Sequence, residues 1–215
     1  MPLILWAALT QILLGQQGVY WKAEVREFDF AFGQIKRTYP RPSVYPGAGV
    51  TRYRYQVYQE PGGRVRKDLL STTLSRNGGI LPPIDVTLID FANRYELVYD
   101  KGAKKGVRSV LTEPARPTPL EPRQLLGQRC EGERYQWRDA RGNLVRVDRW
   151  TATDSDFKLP LFELTYSFEP SGDLGLFDLE LVTALKIVPS LPSSLFEPPS
   201  GLSITTVAPT PVPFL

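Results

Sequence analysis

Thr51-Arg-Tyr-Arg-Tyr-Gln-Val-Tyr-Gln-Glu-Pro-Gly-Gly-Arg-Val65 is the stretch from which the fold follows. Thr51, Tyr53, Tyr55 and Val57 alternate with Arg52, Arg54 and Gln56, the period-two pattern of a strand with one covered face and one polar face. Pro61-Gly62-Gly63 then turns the chain, and the return from Val65 to Leu74 completes a hairpin. Aromatic and β-branched side chains suit a pleated surface, and glycine supplies the backbone conformations a tight turn demands.

The same grammar extends in both directions. Upstream, Trp21, Ala23 and Val25 alternate with Lys22, Glu24 and Arg26, while Phe28, Phe30 and Phe32 take the opposite parity, which predicts a bulge or a break near Arg26 and Glu27. Tyr39-Pro-Arg-Pro-Ser-Val-Tyr-Pro-Gly-Ala-Gly49 reads as a loop. Downstream, after Arg76-Asn-Gly-Gly and Pro82-Pro83, Val86 to Phe91 and Tyr95 to Tyr99 suit a hairpin, and residues 101–106 turn the chain into Val107 to Leu111. A Pro-rich crossing runs from Glu113 to Pro122, with a short helical turn predicted for Arg123 to Leu126. Cys130 to Trp137 and Leu144 to Thr153 flank a turn at Asp139-Ala-Arg-Gly-Asn143. Leu161 to Phe168 and Leu176 to Val188 flank another at Pro170-Ser-Gly-Asp173, although Leu181 to Ile187 also reads as helix. The total is roughly nine strands with few short helices, spaced as in a large antiparallel sheet or barrel. After Pro189 the chain is rich in Pro, Ser and Thr; the apolar pair Leu195-Phe196 is expected to dock on the sheet, and residues 203–215 are expected to form a flexible tail.

Composition excludes much chemistry. There is no His among the 215 residues, which rules out serine triads, Cys-His dyads and the two-His zinc helix within this chain. Cys130 is the single cysteine, so no intramolecular disulfide and no cysteine metal site can form, and a small buried hydrophobe is its simplest role. With 26 Lys and Arg against 23 Asp and Glu, the net charge of +3 is spread thinly, without the basic block of a nucleic-acid binder. A length of 215 residues with 42% hydrophobic side chains suits one domain, assigned to residues 18–202.

Met1 to Gly15 is an uncharged apolar run that reads as a signal peptide spanning residues 1–17 and predicts export to the periplasm or beyond, with an ordinary N-terminal helix or strand as the alternative. The run is shorter than the roughly 20 apolar residues of a bilayer span. No Lys or Arg precedes it, no Ala-x-Ala site follows, and no Cys follows for a lipid anchor.

Several constellations invite a chemical role and a plainer one. Ser155 and Lys158 have Ser-x-x-Lys spacing but follow a strand and lack the downstream Lys-Thr-Gly, so they read as loop. Asp154 and Asp156 lack the spaced ligands and closing Glu of a calcium loop, and Gly47-x-Gly49 lacks the Lys and hydroxyl of a phosphate loop. Asp148, Glu163, Asp178 and Glu180 lie on expected strands as outward charges; a glycosidase would need two of them to converge. Lys101, Lys104, Lys105 and Arg108 surround one hairpin and form either a patch for an anionic head group or membrane surface, or a solvated turn. Trp21, Tyr53, Tyr55, Phe91, Trp150 and Phe162 are the candidate lining of a ligand cavity, with core packing as the alternative. No metal and no cofactor are expected.

Four segments together resemble the periplasmic lipoprotein-carrier (LolA/LolB-like) superfamily. Val86-Thr-Leu-Ile-Asp-Phe91 with Tyr95-Glu-Leu-Val-Tyr-Asp100 is similar to its paired middle strands, and Leu126-Gly-Gln-Arg-Cys-Glu131 through Tyr135 to the strand opening its second half. Arg149-Trp-Thr-Ala-Thr153, with Leu159-Pro-Leu161 and Glu163, resembles the next strand pair, and Ser194-Leu-Phe-Glu-Pro198 the closing segment. The resemblance implies an antiparallel sheet curled into an incomplete barrel whose concave face, partly covered by helices, holds acyl chains. This sequence departs in lacking an amphipathic helix after the leader. The resulting expectation is a non-enzymatic binding protein, carrier, chaperone or sensor, whose partner is a lipid, an acyl chain or a lipoprotein, with transient contact to a membrane surface. The alternative is a fully packed structural or interaction module that meets another envelope protein.

Overall fold

Three turns of one design set the register of the sheet. In the computed structural model, the first residue's N–H donates to the fifth residue's carbonyl at Glu60–Arg64 (3.1 Å), Asp139–Asn143 (3.0 Å) and Glu169–Asp173 (2.8 Å). In each, the N–H of the fourth residue, a glycine, donates back to the carbonyl of the first. Gly63, Gly142 and Gly172 have φ of 82°, 82° and 88°, a left-handed conformation that costs other residues roughly 1–2 kcal/mol. This is the type I turn followed by a glycine bulge that joins tightly paired antiparallel strands.

The structure describes residues 19–31, 49–74, 86–100, 102, 104–112, 116–139, 141–207 and 210–211. Their strands are β1 (Tyr20–Ala31), β2 (Gly49–Gln59), β3 (Arg64–Leu74), β4 (Val86–Asp90), β5 (Tyr95–Asp100), β6 (Lys105–Thr112) and β7 (Thr118–Leu125). Then follow β8 (Gln128–Arg138), β9 (Leu144–Ala152), β10 (Phe162–Phe168), β11 (Leu174–Val188), β12 (Ser203–Thr206) and β13 (Thr210–Pro211). Ser193–Phe196 makes a single 3-10 turn. The sheet runs β12-β6-β5-β4-β3-β2-β1-β11-β10-β9-β8-β7, antiparallel except where β12 and β13 lie parallel to β6. Its ends do not meet, so the sheet is open.

Several expectations are corrected. β1 does not break near Arg26; it pairs continuously with β2, and the irregularity is a bulge against β11 between Glu24 and Val25. The side chains of Phe28, Phe30 and Phe32 lie outside the described residues. Leu181 to Ile187 is strand, because β11 is held on both sides by β1 and β10. The end of the Pro-rich crossing and the expected helical turn are together the edge strand β7. Pro119 and Pro122 fit there because an edge strand has one side without ladder bonds, and the register shift between Leu120 and Arg123 absorbs the misfit. The expected flexible tail contributes β12 and β13, whose backbone groups find partners on β6 without needing an apolar pattern.

One ion pair reveals the curvature. Lys67 on β3 pairs across β2 with Ala23 of β1, whereas Glu180 on β11 pairs with Glu27, four residues further along β1. In a flat sheet their Cα atoms would stand roughly 19 Å apart, from three strand spacings and four residues of rise. Lys67 Nζ nevertheless donates to Glu180 Oε2 at 2.6 Å. The sheet is therefore curled, and the face carrying both side chains is concave.

Separate segments cover the two faces. The β9-to-β10 connection, residues 153–161, folds over one end of the concave face and buries Phe157, Leu159 and Leu161 in a cluster with Trp21, Val57, Val65 and Val182. Gln59 fastens it: its amide donates to the Asp156 carbonyl and accepts from the Lys158 N–H, each at 2.7 Å. The indole of Trp21 donates to the Asp156 carboxylate. On the convex face, Leu202 packs on the cluster of Val86, Leu88, Leu97 and Tyr99. Nearby Phe196 is buried beneath Arg64, and Arg66 donates to the Leu195 carbonyl at 2.9 Å, so the Leu195-Phe196 pair docks on the sheet as its sequence predicts.

Candidate functional site

The pairing register places one row of polar side chains across six adjacent strands of the concave face: Glu133, Arg149, Glu163, Glu180, Glu27 and Tyr53, on β8, β9, β10, β11, β1 and β2. Cross-strand neighbours in a row stand close enough to interact, so the order of charges matters. Arg149 separates Glu133 from Glu163 and donates to Glu163 at 2.8 Å. Tyr135, on the same face of β8, donates its hydroxyl to Glu133 at 2.6 Å. Glu163, Glu180 and Glu27 are then three carboxylates in succession, and Lys67 reaches them from β3.

Lys67 is the centre of this band. Its side chain is only 16% exposed. Burial draws its pKa down, but the charges of Glu180 and Glu27, the hydrogen bond to Glu180 and the charge of Glu163 outweigh burial and hold it above the usual lysine value. The ammonium also lies 4.5 Å from the centre of the Tyr55 ring. Burial, followed by the Glu27 charge and a hydrogen bond to Glu27, pushes the Tyr55 hydroxyl far up. Burial and the neighbouring Glu133 push Tyr135 up to about 12. On β5, burial raises the Glu96 carboxyl despite the opposing charge of Lys67 and a hydrogen bond from Ser109. The result is a trough floor with fixed charges.

The six aromatics expected to line one cavity are divided between two faces. Trp21, Tyr53 and Tyr55 are concave, with the rings of Tyr53 and Tyr55 stacked at 6.2 Å. Phe91 is half-buried in the turn after β4 and packs against the cluster that holds Trp21. Trp150 and Phe162 pair with each other one residue out of phase with Arg149 and Glu163, so they are convex. There Trp150 lies over Gly132, its Nε1 donating to the Glu121 carbonyl at 2.9 Å and its ring under the Arg123 guanidinium at 3.9 Å. A Cβ on Gly132 would stand 2.6 Å from that indole nitrogen, which is why glycine occupies the position.

The expected basic patch is also dispersed. Lys104 and Lys105 are exposed at the start of β6, Arg108 stacks on Tyr95 at 4.3 Å on the convex side, and Lys101 lies outside the described residues. Ser155 and Lys158 lie in the loop over the concave face, as loop residues rather than on a helix. Cys130 is a buried hydrophobe whose thiol burial pushes up.

Glu163 and Glu180 are not the outward charges expected of them, because both belong to the concave band. Asp148 is convex and 4% exposed, gripped by Arg134 through bonds of 2.6 and 2.7 Å. Sequence reasoning missed Lys67, Glu27, Arg149, Tyr135 and Glu96. The available signal was their position on strands that also carry aromatic residues, but strand order was needed to bring them together.

Neither a protein-family model nor a curated protein sequence matches the chain. Solved structures similar to it include an uncharacterized conserved protein from Thermus thermophilus, at 13% identity and a TM-score of 0.46, over 93% of this chain and 99% of that one. Another is a putative outer membrane lipoprotein-sorting protein domain from Vibrio parahaemolyticus, at 11% identity and 0.38, over 87% and 94%. A third is a DUF1329 family protein from Desulfovibrio piger, at 11% identity and 0.36, over 87% and 93%.

Proposed function

We propose that the chain is an exported binding protein of the cell envelope that holds an amphipathic, lipid-like ligand on the concave face of its open sheet and acts without catalysis. The observation that carries this reading is the trough itself, where a buried charged band adjoins an apolar cluster on a face whose two sheet edges do not close. Phe157, Leu159 and Leu161 already fill the apolar end. A ligand would therefore lie along the band, with its apolar portion on the half-exposed rings of Tyr53 and Tyr55 and its polar portion among Lys67, Glu180 and Arg149. A purely apolar guest would strip solvent from these charges without replacing it, so an amphipathic guest fits better. The leader-like Met1 to Gly15 supports export.

The plugged end and the mutual pairing of Lys67 with Glu180 and Arg149 with Glu163 favour a second reading, a packed interaction module of the envelope. Purification from a periplasm followed by solvent extraction and mass spectrometry separates the two, together with titration of a fluorescent fatty acid. Recovered lipid and saturable uptake, weakened when Tyr53 and Tyr55 become Ser, support the binding protein. Repeated recovery of nothing, with no uptake, leaves the packed module.

A further inference from the structure

The convex face carries a second set of charged groups at the ends of the hairpins β8–β9 and β10–β11. Pairing places Arg134 beside Asp148, Gln136 beside Arg146 and Tyr166, and Arg138 beside Leu144 and Phe168, in three successive rows of one face. A cleft of about 300 Å³ opens over the last two rows and is walled by the 169–173 turn.

Its charges are not balanced internally. Both oxygens of Asp148 are taken by Arg134. Arg146 Nε stands 3.7 Å from the nearer oxygen, beyond hydrogen-bond distance, and is buried without a hydrogen-bond partner. The guanidinium of Arg146 sits 4.2 Å from the Tyr166 ring centre, so the ring and the ion pair with Asp148 together fix its position. Arg138 is anchored at the other side of the cleft by donation from Nη1 to the Gly142 carbonyl at 2.9 Å. Among the residues that line the cleft, Glu169 is one carboxylate against the two guanidinium groups of Arg138 and Arg146. Leu144, Phe168 and Pro170 supply an apolar floor between the arginines.

We propose that this cleft binds an anionic amphiphile, a phosphate monoester or a carboxylate bearing an apolar chain, with the oxyanion held by Arg146 and Arg138 and the chain on Leu144, Phe168 and Pro170. Guanidinium groups meet phosphate and carboxylate with paired, charge-assisted hydrogen bonds, of a kind that Asp148, bonded through both oxygens to Arg134, does not give Arg146. The site lies on the face opposite the charged trough and stands independently of the function proposed for that trough.

The test uses the full chain and reads arginine Nε–H signals by NMR during titration with octyl phosphate and with inorganic phosphate. Octyl phosphate should shift the Arg146 and Arg138 signals saturably and bind about tenfold tighter than inorganic phosphate, from burial of its chain. Arg146→Gln should weaken octyl phosphate about tenfold, the loss of a charge-assisted contact, and Arg138→Gln provides the same test should the first variant fold poorly. Co-sedimentation with phosphatidylglycerol vesicles but not phosphatidylcholine vesicles, abolished by either substitution, would identify a lipid head group as the source. Binding of octyl phosphate without vesicle binding would identify a soluble amphiphile. The proposal is overturned if neither phosphate gives a saturable shift at millimolar concentration, if both variants bind as the parent does, or if the shifts fall on Arg149 in the trough instead.

Discussion

Replacing Lys67 by Met removes the ammonium that reaches the three successive carboxylates of the concave face while keeping a side chain of similar length. Removing one partner from a buried ion pair costs about 3–5 kcal/mol, because the other charge stays buried without compensation. Lys67 and Glu180 are 16% and 19% exposed, which places the expected loss at the lower end, about 3 kcal/mol. The lost contact with Tyr55 adds about 0.5–1 kcal/mol. Urea unfolding followed by circular dichroism should show the midpoint fall by about 1 M or more, given slopes of about 1–3 kcal/mol per molar. The pH dependence provides a second check. The native pKa of Lys67 is raised, so its stabilisation is fully present below the usual 10.5 and is lost as pH rises through the native value. Between pH 7 and 9 the gap between parent and variant should stay constant. A double variant with Glu180→Gln should recover part of the loss. A drop under about 1 kcal/mol at pH 7, or a gap that changes between pH 7 and 9, would refute the placement of Lys67 among Glu27, Glu163 and Glu180.

Three further outcomes follow from particular contacts. Gly132→Ala forces a Cβ to 2.6 Å from the Trp150 indole nitrogen and 2.8 Å from Leu120 Cβ, so thermal unfolding should show a loss of about 1–3 kcal/mol with an altered near-ultraviolet tryptophan signal; an unchanged melting curve contradicts the packing. Gln59→Leu leaves the Asp156 carbonyl and the Lys158 N–H without their partner, costing about 2 kcal/mol, and hydrogen exchange should accelerate across residues 153–161 before it does elsewhere. Uniform acceleration over the whole sheet would count against a locally fastened loop. Glu96→Gln should stabilise the protein at pH 7: the native carboxyl is raised by burial, so its contribution is most favourable below 4.5 and is lost as pH rises through the native value. Equal stability of variant and parent at pH 7, with equal pH slopes above 4.5, would remove the basis for that sign.

The hairpins were legible because their evidence is local. Glu60-Pro-Gly-Gly-Arg64, Asp139-Ala-Arg-Gly-Asn143 and Glu169-Pro-Ser-Gly-Asp173 share a glycine at the fourth position, and the alternating runs on either side supply the strands. What escaped was which face each run covers. Phe162, Leu164 and Tyr166 alternate with Glu163, Thr165 and Ser167, and the pattern says that the two sets part company, not which set points inward. In β10 the apolar set is convex and the charged one concave, since segments cover both faces of this sheet. The rule that charges point to solvent fails in that setting. Strand β12 escaped for another reason: Ser203-Ile-Thr-Thr206 joins β6 through its backbone, so its side chains, all exposed, carry no pattern. The charged band was illegible because Lys67 and Glu180 lie 113 positions apart and meet only once β1 stands between β2 and β11.

That central place of β1 governs the order in which the molecule can be completed. β1 is the first described strand of the chain, yet one of its two edges waits for β11, whose register begins by joining Tyr20 to Val188. While the chain is being made, β1 to β6 can pair in succession, but the far side of β1 keeps its donors and acceptors unsatisfied until β11 has been made. Such distant pairing makes folding slow and leaves a long-lived sticky edge. A chain truncated before Leu174 lacks β11 and cannot join the two halves of the sheet, so the last long hairpin has to form before both edges of β1 are paired.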